Sequence, residues 1–183
     1  MVSIGDSITW RPSKPQAYPA LIGPSRGFRA VVNSAIDGET SLEMLARFDQ
    51  DVLAYGPRAV SLMCGTNDCA APHNTPLVDY EAAIREMIAR AQGVGARFTL
   101  CTPPVARGAA WAALPDYVDV IRAIAGDTPD VVLFDVYARF ETYSEGTLDL
   151  LYVDDVHLNA TGQQWIADFA NEPGQALAFT GGV

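Results

Sequence analysis

Within Val2 to Trp10, read as VSIGDSITW, a short apolar run ends abruptly on Gly5, Asp6 and Ser7, and the same apolar-then-polar pattern returns along the chain. Arg29 to Asn33 leads into Ser34, Ala35, Ile36, Asp37 and Gly38. Ala59 to Cys64, AVSLMC, leads into Gly65, Thr66, Asn67 and Asp68. Arg97 to Cys101 is broken by Pro103 and Pro104, and Val131 to Val136 completes the set. Runs of this length predict strands, and AVSLMC is of the kind expected for a strand buried on both faces.

Between these runs the spacing turns helical. Ala17 to Ile22 predicts a short helix ending near Gly23, after a loop at Pro12 to Pro15. Thr40 caps a helix that carries Leu42, Leu45, Phe48 and Val52 on one face and stops at Gly56 and Pro57. Pro76 opens the clearest helix, with Val78, Ala82, Ile84, Ile88 and Ala91 on its apolar side and Arg85, Glu86 and Arg90 in water, closed by Gly93 and Gly95. Leu114 to Ala125 and Ala160 to Phe169 are two more helices, the second capped by Asn159 or Thr161. The stretch from the fifth strand to that last helix reads as a loop holding Asp154, Asp155 and His157, and the tail from Asn171 lacks strong periodicity.

Strands alternating with helices imply an α/β fold: a parallel sheet between two helical layers with right-handed crossovers. Five strands suit a flavodoxin-like, doubly wound, three-layer α/β/α arrangement in the order 2-1-3-4-5. That order sets the ends of strands one and three beside the switch point where ligands bind. Ser7 follows strand one and Asn67 follows strand three.

Composition narrows the field. A chain of 183 residues, 49% hydrophobic, is expected to form a single domain, 1–183, with a sizeable core. Twelve basic residues against 22 acidic ones give a formal charge of −10, which repels phosphate backbones, and no basic patch stands out, so nucleic acid is not an expected partner. No apolar run approaches the roughly 18 residues of a membrane span. A chain that opens on a strand shows no signal peptide, so a cytoplasmic location is expected unless a leader has been trimmed. Cys64, Cys69 and Cys101 are odd in number and lack metal or disulfide spacing; they read as buried thiols, and Cys64, Cys69 and His73 do not read as a metal site.

Four polar clusters thus stand at predicted strand ends or on one loop: Gly5-Asp6-Ser7, Asn33 to Gly38, Gly65 to Asp68, and Asp154 to His157. Acyl transfer needs a hydroxyl nucleophile, an imidazole base, a carboxylate to orient the base, and donors for an oxyanion. All are available. Each cluster alone also has a plain reading: Gly, Asp and Ser form turns, Asn67 bonds its own backbone, Gly38 fills a positive-φ position, and His157 starts a helix.

Together the blocks resemble the SGNH hydrolases, also called GDSL-type esterases and lipases, over nearly the whole chain. The resemblance implies that Ser7 is the nucleophile and gives one oxyanion N–H, that Gly38 gives a second, and that Asn67 gives a side-chain amide. It places the carboxylate and base on one loop as Asp154 and His157; Asp155 competes for the first role, but the family spacing is Asp-x-x-His. Two departures are a first strand that starts close to Met1 and Ala35 where a glycine is common.

The implied activity is hydrolysis of carboxylic esters through an acyl-enzyme, without metal or cofactor. Short loops and the lack of a long apolar lid favour small substrates, short-chain or acetyl esters, acetylated carbohydrate among them. A lysophospholipase or thioesterase of the same family is the enzymatic alternative, and a non-catalytic ligand-binding module on the same fold is the other. Trp10 and Trp111 are candidates for the pocket lining, His73 for an exposed loop position, and Asp49 with Asp51 for a solvated face. Oligomeric state is not readable.

Overall fold

A computed structural model describes residues 1–9 and 17–175 of the chain. Among them five strands, β1 (Val2–Gly5), β2 (Val32–Asn33), β3 (Ala59–Met63), β4 (Arg97–Cys101) and β5 (Val131–Phe134), form one parallel sheet in the order β2-β1-β3-β4-β5. This is the doubly wound order expected from the strand pattern. Its switch point lies between β1 and β3, whose C-terminal residues Gly5 and Met63 are register partners.

Strand alternation feeds two cores. Ile4, Leu62 and Leu100 pack with Met44 and Phe48 of α2 (Ser41–Asp51), Ile84 and Met87 of α3 (Leu77–Gly93), and Val118 and Ile121 of α4 (Leu114–Asp127). Met63, Cys101 and Phe134 pack on the other face with Tyr18 and Ile22 of α1 (Tyr18–Ser25), Phe140 of α5 (Val136–Glu141), Leu148 of α6 (Glu145–Asp149) and Ile166 of α7 (Ala160–Asn171). One polar pair is set inside the sheet: Ser3 and Ser61, register partners on β1 and β3, bring their hydroxyls to 2.7 Å. Each satisfies the other, and a slip of one residue would part them.

Several elements differ from the sequence expectation. β2 is shorter than Arg29 to Asn33 because Arg29 and Ala30 lie exposed at an outer edge; the pairing instead runs onward, with Ser34 N–H donating to Ser3 O and Ile36 N–H to Gly5 O. β5 ends at Phe134, not Val136, because the Asp135 side chain accepts from Ala138 N–H and starts α5. The stretch expected as loop therefore holds α5 and α6, the latter capped by Ser144 on Thr147 N–H. On α3 the buried stripe is Tyr80, Ala83, Ile84, Met87, Ile88 and Ala91, while Val78 and Ala82 face water. On α2 it is Met44 and Phe48, with Leu42 exposed. Helix boundaries otherwise follow the caps, including a reciprocal Thr40–Glu43 capping box on α2. The loop at Pro12 to Pro15, Trp10 and the end of the tail, residues 176–183, lie outside the described residues. Among the described residues no helix is long and apolar enough to cross a membrane.

Candidate active site

Ser7 is carried on a turn fixed from three sides. Behind it, Gly5 sits where a Cβ would meet Thr9 Oγ1 at 2.1 Å and Met63 O at 2.8 Å, so only glycine lets β1 turn this close to β3. Beside it, the buried Asp6 carboxylate accepts from Ile8 N–H at 2.8 Å, closing an Asx-type turn over Ser7. Ahead of it, buried Gln163 of α7 donates to Ile8 O at 2.9 Å and accepts from Tyr18 N–H at 2.9 Å. Asn33 adds a bond to Thr9 O at 3.1 Å. Neither Asp6 nor Gln163 carries a structural role in the sequence reading. For Gln163 a signal exists, since it is the one amide on the α7 face that also presents Ile166, Ala167 and Ala170 to the core.

The loop before α7 brings an imidazole to this turn. His157 Nε2 is 3.0 Å from Ser7 Oγ, and His157 Nδ1 is 2.8 Å from Asp154 Oδ2. Asp154 is held by its own loop: Oδ1 accepts from Val156 N–H at 2.9 Å and His157 N–H at 2.6 Å. Partial burial raises the Asp154 pKa, but the two N–H donors and the imidazole outweigh it and hold the carboxyl down at about 2. Asp155 is exposed and its Oδ2 lies toward Gly108, while the bond to the ring is made by Asp154. The base of the loop is tied by a Tyr152–Leu158 bridge, by Val153 N–H on His157 O, and by Asn159, whose side chain caps α7 on Gly162 N–H. Gly162 is needed there, because a Cβ would meet Leu151 O at 2.5 Å.

The remaining blocks meet beside Ser7. Asn67 donates to Glu39 O at 3.0 Å and to Asp6 Oδ2 at 3.3 Å. Gly38 occupies an exposed turn at φ +80, a conformation glycine adopts without strain. Asp68 rivets the start of α2 to the third block, accepting from Ser41 N–H at 3.0 Å, Ser41 Oγ at 2.6 Å and Gly65 N–H at 3.2 Å. Burial raises its pKa against these donors. Burial likewise pushes Asp6 up to about 7, against the Ile8 N–H, with the nearby Asp68 charge adding to the rise.

Other candidates lie apart from this group. His73 is exposed and interacts electrostatically with Glu43. Trp111 is half-buried and packs against both cores. Cys64, Cys69 and Cys101 are buried thiols, and burial drives all three pKa values up, that of Cys69 to about 12. Among the described residues no three His, Cys, Asp or Glu side chains converge as a metal site would require.

Ser7, His157 and Asp154 are thus hydrogen-bonded in series beside the switch point of a doubly wound sheet, an arrangement suited to acyl transfer. The chain belongs to the GDSL-like lipase/acylhydrolase family, whose model matches residues 3–165. It is 28% identical over 207 aligned residues to an acetylxylan esterase of Geobacillus stearothermophilus, covering 91% of this chain and 90% of that protein. Among solved structures it resembles the acetyl xylan esterase AlAXEase, with a TM-score of 0.79 and 25% identity over 92% of this chain and 97% of that one. A lipase/acylhydrolase from Enterococcus faecalis shares the fold at a TM-score of 0.78 and 22% identity, over 92% of this chain and 91% of that one.

Proposed function

We propose that the protein is a serine esterase that removes acetyl groups from carbohydrate through an acyl-enzyme, with Ser7, His157 and Asp154 as its triad. The observation that carries this reading is the unbroken series Ser7 Oγ, His157 Nε2, His157 Nδ1, Asp154 Oδ2, at 3.0 and 2.8 Å. An ionised Asp154 accepts a hydrogen bond from Nδ1–H, so the Nε2 lone pair faces the hydroxyl. Ser7 Oγ attacks the acetyl carbon as its proton passes to Nε2; collapse of the tetrahedral intermediate breaks the ester C–O bond as the imidazolium protonates the leaving sugar oxygen, which departs as a hydroxyl. Water then repeats the sequence, releasing acetate and restoring Ser7. Backbone N–H groups of Ser7 and Gly38 and the Asn67 amide serve the oxyanion.

The choice of acetylated carbohydrate over other esters rests on the similarity to acetylxylan esterases. Acetate release from acetylated xylooligosaccharides, measured beside lysophospholipids, acyl thioesters and p-nitrophenyl esters from acetate to palmitate, tests it. The expected result is preference for acetyl sugars and loss of all turnover in Ser7→Ala. Faster turnover of lysophospholipids or thioesters overturns the substrate class. No hydrolysis of any ester, with no fluorophosphonate adduct on Ser7, overturns the enzymatic reading in favour of a binding module.

A further inference from the structure

Arg107 lies in the segment between β4 and α4, far in sequence from the Asp154–His157 loop, yet it grips that loop at consecutive peptide units. Its N–H donates to Asp155 O at 2.7 Å and its Nη2 to Asp154 O at 3.1 Å. Its guanidinium lies over the Tyr152 ring, 5.2 Å from the centroid, and Tyr152 Oη returns a bond to Val105 O at 2.6 Å. On the outer side Nη1 pairs with Asp149 at 2.6 Å. Two segments are thereby laced together in both directions.

We infer that Arg107 is a positioning residue: by holding the Asp154 carbonyl while the loop's own N–H groups hold the Asp154 carboxylate, it fixes the line from Asp154 through His157 to Ser7. This rests on the triad reading above. The local bonds at Tyr152, Leu158 and Asn159 secure the base of the loop; among the described residues its tip, Asp154 and Asp155, takes its external hydrogen bonds from Arg107. An ordinary surface ion pair with the largely exposed Asp149 does not account for the placement, because Arg107 Nε is buried with no hydrogen-bond partner among the described residues. Leaving a buried N–H unmet is unfavourable, and it goes with a fork turned onto the loop. Lysine cannot replace it, having a single ammonium where the site uses a planar fork stacked on a ring.

The test compares Arg107→Ala, Arg107→Lys and Asp149→Ala with wild type, reading kcat, KM and the low-field proton NMR signal of the His157 Nδ1–H bonded to Asp154. A base displaced by a fraction of an ångström loses rate without losing substrate, so kcat falls about tenfold to a hundredfold in Arg107→Ala with KM within about twofold. The low-field signal broadens in the folded variant, added guanidinium recovers part of the rate, and Arg107→Lys is impaired in the same way; Asp149→Ala behaves as wild type. Should Arg107→Ala not fold, Arg107→Lys carries the same readings. Unchanged kcat and an unchanged low-field signal in a folded Arg107 variant overturn the inference, as does an equal loss in Asp149→Ala. If wild type hydrolyses nothing, the substrate reading fails, but the NMR signal still decides whether Arg107 holds the loop.

Discussion

The Asn67 carboxamide and the buried Asp6 carboxylate are hydrogen-bonded at 3.3 Å, and the second N–H of the same amide is taken by Glu39 O at 3.0 Å. The donor assigned to the oxyanion is therefore fully engaged before any substrate arrives. To serve a tetrahedral intermediate it must share or exchange one of these acceptors. The longer bond, to Asp6, is the one more readily given up.

Asn67→Ala removes the amide and leaves Glu39 O and the Asp6 carboxylate short of a partner. Turnover is expected to fall about a hundredfold or more, the usual cost of one oxyanion donor. Stability should fall by about 1–3 kcal/mol from the unmet acceptors. Steady-state kinetics and a urea melt read the two effects separately.

Asp6 makes stability depend on pH in the unusual direction for a carboxyl. Its pKa is about 7 when folded against 3.8 ordinarily, so between those values the folded chain holds a proton that the unfolded chain has lost. The stabilisation is complete below about pH 4, declines as pH rises, and is gone above about 7, a change on the order of 4 kcal/mol at about 1.4 kcal/mol per unit. Denaturant melts from pH 4 to 8 should show the decline in wild type and a flatter profile in Asp6→Asn.

Asp154 behaves oppositely. With its pKa held at about 2 against 3.8 ordinarily, it stays ionised through mild acid, and its contribution to stability is complete above about pH 4 and is lost as pH falls to about 2. Carbon-detected NMR should place its carboxyl titration near 2 in wild type and higher in His157→Ala, which keeps the backbone donors but loses the ring. In activity, Asp154→Asn should lose about four orders of magnitude, as expected when the base is held in the wrong tautomer, while Asp155→Asn stays close to wild type.

Gln163→Ala strips partners from Ile8 O and Tyr18 N, both buried. A loss of about 2 kcal/mol in stability is expected. Because Ile8 follows Ser7 directly, kcat should drop with it. Thermal melts and hydrolysis of p-nitrophenyl acetate check both.

The strands were readable as continuous apolar runs such as AVSLMC, which gives way to Gly65 at the sheet's rim, but the end of β5 was not, because Val136 carries the apolar run past Asp135 into α5. Three of the four blocks stand at strand ends and were readable for the same reason; the fourth, on the loop before α7, was readable from its Asp-x-x-His spacing. The short helices α5 and α6 were not, since six and five residues are too few to display a helical repeat. Val78 misled because the α3 stripe is set by Tyr80, whose ring the apolar count did not use. What stayed hidden was the support behind the site: Gln163 reaches Ile8 across 155 residues and Asp68 reaches Ser41 across 27, and no local pattern encodes such pairs.

Gly162 pressed on the Leu151 carbonyl leaves no slack between the Asp154–His157 loop and the helix that follows it. Loop and helix start therefore travel as a single cassette of fixed length, intolerant of insertion. Any remodelling of the cleft for a bulkier ester, by evolution or by an engineer, has to be written elsewhere, into connections that do not grip this cassette.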